Sequence, residues 1–160
     1  MAPSFDSMVL LRVAPLITSS FTLWFSWDQF LFLNTFLHRR VLPKTNDFLP
    51  TYFDVWFPPG VAIILSFYPI TIGLGIANAV TRHTETPHFY TAGVCLAAFH
   101  FFFVPFIKPS IDAIRQDRNK GASAGDMRRW LNVHIARSLL ADFPSWLLFL
   151  LAALNAVQAV

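Results

Sequence analysis

Four stretches of about 20 mostly apolar residues, roughly 13–32, 57–80, 89–107 and 131–157, govern what this chain can become. Each is long enough to cross the hydrocarbon core of a bilayer as a helix. Inside lipid the backbone N–H and C=O groups must be satisfied within the segment, so each stretch is expected to be helical. With short connections the four take up all 160 residues. The expected fold is therefore all-α: one integral-membrane domain over 1–160, a four-helix transmembrane bundle with a short amphipathic interfacial helix between helices 3 and 4. Composition agrees, since 55% of the residues are apolar and only 13% charged, far from the balance of a soluble domain. The first stretch has Asp6 ahead of it, Arg12 at its edge and no clear small-x-small site, which favours a retained helix over a cleaved signal. The single Cys95 rules out an intramolecular disulfide.

Nine of the twelve Lys and Arg residues fall in two connections: Arg39, Arg40 and Lys44 in 33–56, and Lys108, Arg115, Arg118, Lys120, Arg128 and Arg129 in 108–130. The positive-inside rule places both connections in the cytoplasm, with the two termini and the loop from Arg82 to His88 on the lumenal side, the endoplasmic reticulum being the expected membrane. The formal charge of +3 has this topological origin, and no nucleic-acid motif accompanies it. Between the first two spans, turn formers alternate with Tyr52, Trp56 and Phe57, as in a segment lying among lipid headgroups. Ile111 and Ile114 in Ser110–Asn119 give the interfacial helix its apolar side. Gly121 to Gly125 is a flexible break, and Asp126 can cap the start of helix 4.

Polar residues gather in one half of the spans. Helix 1 carries Trp24, Trp27 and Asp28 late, helix 3 carries His100 among phenylalanines, and helix 4 carries Asn132, His134, Arg137, Ser138 and Asp142 early. At α-helical spacing His134, Ser138 and Asp142 share one stripe, with Arg137 on its flank. An ionisable group at mid-span costs about 2.5–3.5 kcal/mol on insertion scales, so the stripe is expected to face the bundle interior, where Asp28 and His100 could approach it. Duller readings exist for each: Arg137 snorkelling to headgroups, Asp28 serving only as its counter-ion, and the histidines acting as hydrogen-bonded core residues. Phosphate loops, dinucleotide fingerprints and a nucleophile elbow are missing. A two-histidine metal site from His100 and His134 with a carboxylate is conceivable but lacks the i, i+3 ligand pattern of helical metal bundles, so no metal is expected. Acid/base chemistry on a lipophilic molecule remains, with arginine stabilising an oxyanion.

Trp130, His134, Arg137 and Ser138, in W-L-N-V-H-I-A-R-S, and Pro109 in K-P-S-I-D-A-I resemble the pattern of the anthrone oxygenase-like family, small four-helix membrane proteins of fungal polyketide pathways. Ser110 stands where that family often has asparagine, and the first half of the chain matches only in general character. The resemblance implies a cofactor-independent monooxygenase that uses dioxygen as co-substrate to turn an anthrone into an anthraquinone. It gives His134 the proton abstraction, Arg137 the oxyanion, Asp142 or Asp28 the tuning of the histidine, and Trp24, Trp27, His100, Trp130 and Ser138 the substrate. Two alternatives stand beside it: a membrane cyclase or epoxide-opening enzyme with Asp28 or Asp142 as proton donor, and a non-catalytic tetraspan scaffold whose charges register the helices. The partners expected are a lipophilic small molecule and the bilayer, with no nucleic acid; the bundle could pair as a homodimer.

Overall fold

In the computed structural model, residues 7–81 and 87–158 are described; residues 82–86 of the expected lumenal loop, and Asp6, lie outside them. Four helical rods are long and apolar enough to cross a membrane: α1 (Ser7–Leu37), α2 (Leu42–Val80), α3 (Pro87–Arg115) and α4 (Ser123–Ala156). The described residues contain no strand. The chain is an all-α four-helix integral membrane protein. Neighbours in the chain are neighbours in space, and α4 closes the ring against α1.

The rods outrun the apolar windows, and α2 most of all. Leu42 to Gly60, expected to lie along the headgroups, instead continues into the second span as one helix despite Pro50, Pro58 and Pro59. Proline disfavours a helix interior by about 3 kcal/mol. Packing offsets that cost here, because Leu49 and Phe53 are buried against Ile107, Ile111, Ile114, Met127, Trp130 and Leu131. Thr45 adds a hydrogen bond from its hydroxyl to the Phe36 carbonyl at 2.6 Å, tying the start of α2 to the end of α1. The amphipathic stretch after the third span runs Val104–Arg115 rather than Ser110–Asn119, joined to Pro87–Phe99 by the 3-10 turn His100–Phe103. Four of its five buried residues, Ile107, Ser110, Ile111 and Ile114, recur at the three-and-four spacing of one helix face.

Two apolar clusters lie at opposite ends of the rods. The larger surrounds Trp130; the smaller joins Tyr90, Phe149 and Ala152. Phe149 is fully buried there against two glycines: a Cβ built on Gly93 would meet its ring at 2.7 Å, and one on Gly75 would meet Val94 at 2.5 Å and Phe149 at 3.1 Å. Glycine at both positions lets α2 and α3 approach closely enough to hold the ring, as small residues do at membrane helix contacts. Between the clusters lie buried polar residues, among them Ser26, Gln29, His100, His134, Arg137 and Asp142. Gly93→Ala is expected to destabilise the detergent-solubilised protein by about 1–3 kcal/mol through overpacking, and Phe149→Leu to recover part of the loss in the same background; thermal unfolding of the unaltered protein and the two variants checks this.

Candidate active site

The polar layer draws on all four helices. From α1 come Ser26 and Gln29, on the buried stripe Ser19, Thr22, Ser26, Gln29 and Leu33; α2 gives Tyr68, α3 His100, and α4 His134, Arg137, Ser138 and Asp142. Asp142 is the centre. One carboxylate oxygen accepts from the Tyr68 hydroxyl at 2.9 Å and lies 2.8 Å from His100 Nδ1; the other accepts from Arg137 Nε at 3.2 Å. Arg137 also donates through Nη2 to Ser26 Oγ at 3.1 Å and to His134 Nδ1 at 3.0 Å. Nε2 of His134 stands 2.8 Å from the Ser26 carbonyl, and Ser26 Oγ and Ser138 Oγ are 2.7 Å apart.

A break in helical register makes this possible. Residues five apart on an α-helix point about 140° away from each other, which would hold Arg137 and Asp142 on different faces. Ser138–Asp142 is a π turn, with the Phe143 N–H bonded to the Ser138 carbonyl. The wider i→i+5 turn returns residues 137 and 142 to one face. Pro144 supplies the reason: it has no N–H for the Leu140 carbonyl, and its ring crowds that oxygen. The expected single stripe of His134, Ser138 and Asp142 is thereby replaced. Asp142 turns toward Tyr68 and His100, while Ser138 turns toward Ser26.

Partner chemistry settles the protons. A guanidinium only donates, so His134 Nδ1 accepts from Arg137 and Nε2 carries the hydrogen given to Ser26. Both nitrogens of His134 are therefore in use. Asp142 with three donors is an ionised acceptor, so neutral His100 has its hydrogen on Nδ1 and a lone pair on Nε2. That Nε2 has no hydrogen-bond partner among the described residues.

Two cavities flank the layer. One of about 600 Å³ lies between α1 and α4 and is lined by Trp24, Trp27, Trp146, Ser26, His134 and Ser138 with apolar neighbours. The other, about 400 Å³, is lined by residues of all four helices, among them Gln29, Gly60, His100, Trp130 and Arg137, with Lys108 and Arg115 also on its wall. The expected site residues are thus divided. Trp24 and Trp27, 67% and 53% exposed, serve the first cavity, His100 and Trp130 the second, and Asp142 lines neither. Trp130 also stacks on His134, with ring centroids 4.8 Å apart.

Asp28 stands apart from the network. It lines neither cavity and has no hydrogen bond or ion pair among the described residues. At 100° per residue it lies about 140° round the helix from the mean direction of the buried α1 stripe, so it cannot be the counter-ion of Arg137. Sequence reasoning passed over Ser26, Gln29 and Tyr68. A signal existed for the first two, in the three-and-four recurrence of Ser19, Thr22, Ser26 and Gln29 through an apolar span; Tyr68 carried none. Among the described residues no three His, Cys, Asp or Glu side chains gather as metal ligands.

This is a helical membrane protein with a buried acid/base network open to two cavities. The chain is 33% identical over 156 residues to the probable epoxidase scpX of Mollisia scopiformis, an alignment covering 92% of this chain and 96% of that protein. It is 30% identical to the epoxidase gkaX of Penicillium citrinum, over 94% of this chain and 97% of the relative, and 30% identical to the epoxidase pydX of an Acremonium species, over 92% and 94%. The chain belongs to the family of these fungal proteins. None of the three bears the anthrone oxygenase name. No protein-family model matches the chain, and no solved structure matches it.

Removing one partner of a buried ion pair strands the other, at about 3–5 kcal/mol. Asp142→Leu is therefore expected to lower accumulation in membranes sharply. Arg137→Leu combined with Asp142→Leu should recover accumulation, since no lone charge remains, without recovering any activity; quantitative immunoblotting of membranes checks the first part.

Proposed function

We propose that this protein is a membrane-embedded oxygenase of the epoxidase type, cofactor-independent and using dioxygen as co-substrate, acting on a lipophilic aromatic polyketide in fungal secondary metabolism. The observation that carries the reading is the charged, hydrogen-bonded network held between two cavities in a largely apolar bundle. A cost of that kind is characteristic of a functional site in a membrane protein. The names of the relatives favour oxygen insertion across a double bond over the anthrone-to-anthraquinone outcome, although both begin with the same enolate or phenolate.

Stoichiometry limits the substrate. Epoxidation by dioxygen places one oxygen atom in the product and releases the other as water, which takes up two protons and two further electrons. In a cofactor-independent reaction the substrate supplies them, as a hydroquinone does on becoming an epoxyquinone: hydroquinone plus O2 gives epoxyquinone plus water. Arg137 suits the intermediate phenolate, being a fixed cation in a site of low dielectric. The groove between α1 and α4, with its tryptophans and apolar walls, suits entry or holding of a flat molecule that arrives through the bilayer. Acid-driven epoxide opening is less well supported, because Asp142 is an acceptor from three donors and Asp28 stands apart from the network.

Membranes containing the protein, given 1,4-naphthohydroquinone under 18O2, are expected to form the 2,3-epoxide of 1,4-naphthoquinone with one labelled oxygen. Uncatalysed autoxidation yields unlabelled quinone and labelled hydrogen peroxide; with catalase present to destroy that peroxide before it can epoxidise the quinone, mass spectrometry separates the two. Arg137→Ala that still accumulates should form at least 100-fold less labelled epoxide, the order found on removing one oxyanion donor. Normal turnover by that variant would refute the role of Arg137, and no labelled product from the unaltered protein with this probe or with anthrone would refute the oxygenase reading.

A further inference from the structure

The resemblance of helix 4 to a known pattern gives the proton abstraction to His134, yet the geometry points to His100 as the base, acting in the cavity lined by Gln29, Trp130 and Arg137. This rests on the oxygenase reading above and names the reacting group within it. A base needs a free lone pair within reach of the substrate. His134 offers none: Nδ1 is filled by Arg137 and Nε2–H is given to the Ser26 carbonyl. His100 is oriented by Asp142 at 2.8 Å through Nδ1, which leaves Nε2 as the acceptor, and a carboxylate on the far nitrogen stabilises the imidazolium that forms.

The surroundings of Nε2 complete the site. The one fully buried side-chain nitrogen or oxygen without a partner among the described residues is Trp130 Nε1. His100 Nε2 and the Gln29 amide, unpartnered as well, therefore keep accessible surface, and the cavity that both residues line is where it lies. His100 and Gln29 are each only 4% exposed. A buried polar group left unpaired is costly, and two of them on one cavity, beside Arg137, describe a place for a ligand that carries oxygen. The ligand class is a phenol or enol: its O–H gives a proton to His100 Nε2, and its developing oxyanion is held by Arg137 and the Gln29 amide N–H. Lys108 and Arg115 on the same wall are already paired, with Asp112 and Asp54, so the cavity suits a neutral phenol that becomes charged inside it.

A hydroquinone supplies both electrons and both protons that the second oxygen atom needs. His100 takes the first O–H proton, and a ring carbon adjacent to the phenolate carbon bonds to dioxygen. His100 returns its proton to the terminal oxygen of that peroxide. The neighbouring enol carbon then closes on the inner oxygen, the O–O bond breaks, and hydroxide leaves with the second phenolic proton as water. The histidine ends as it began. His134 is in this account a positioning residue, holding Arg137 and Ser26 in place.

Chemical rescue tests the assignment in membranes with 1,4-naphthohydroquinone and 18O2. His100→Ala is expected to lose at least 100-fold in labelled epoxide and to regain at least tenfold of it with added imidazole, which occupies the vacated space and accepts the proton; His134→Ala should not respond to imidazole. Rescue at position 134 but not at 100, or His100→Ala within threefold of the unaltered protein, would overturn the assignment, as would loss at 100 with no rescue. Should His100→Ala not accumulate, His100→Asn, whose amide N–H can still serve Asp142, is expected to keep substrate KM within threefold while kcat falls at least 100-fold; retention of a tenth of kcat would overturn it. Labelled epoxide from the unaltered protein is the precondition common to all arms, so its absence reports on the oxygenase reading and the variants report on His100.

Discussion

An ionised carboxylate inside an apolar helical bundle is the constraint on which the rest of this structure depends. Asp142 can stay charged there only by collecting donors, and it collects one from each of α2, α3 and α4: the Tyr68 hydroxyl, the His100 imidazole and the Arg137 guanidinium. Arg137 is in turn satisfied by Ser26 of α1 and by His134. The four helices are thereby registered through one chain of charge-assisted hydrogen bonds, between a large apolar cluster and a small one that supply nonspecific burial. Buried ionic groups contribute little net stability compared with apolar residues of the same size. Their presence here is better understood through what they leave free.

What they leave free is unequal on the two sides. Toward the cavity between α1 and α4 the network presents hydroxyls and a histidine whose nitrogens are both in use, bordered by exposed tryptophans. Toward the other cavity it presents a lone pair on His100, the Arg137 cation and the Gln29 amide. Both compartments are walled mainly by apolar side chains, and they differ in the polar groups that the network offers to each. The fungal relatives named as epoxidases extend over nearly the whole chain, so the entire bundle, not a fragment of it, is the unit shared within the family.

Much of the architecture was legible in the sequence because lipid permits so few alternatives. Apolar runs of spanning length have to be helices, and short connections make consecutive helices neighbours. Packing overrode local preference in one place: Leu42 to Gly60 carries enough proline to suggest a surface segment, yet it is helical, with Leu49 and Phe53 buried against the third and fourth rods. The candidate site was legible in part. His134, Arg137 and Asp142 stand out as ionisable residues in a span, since their cost of insertion demands an explanation. Ser26, Gln29 and Tyr68 are too ordinary in a membrane helix to be singled out by type.

By itself, then, the sequence determined a four-helix membrane protein with a cluster of ionisable residues in the last helix, because hydrophobic length and the cost of burying charge are properties of residues in order. Tertiary structure decided which of those residues meet. The π turn before Pro144 carries Asp142 round to Arg137, the buried stripe of α1 brings in Ser26 and leaves Asp28 outside, and the hydrogen-bond partners of each histidine decide that the open lone pair belongs to His100. Each of these depends on angles between helices and on a single extra residue in one turn, which a 3.6-residue period does not contain.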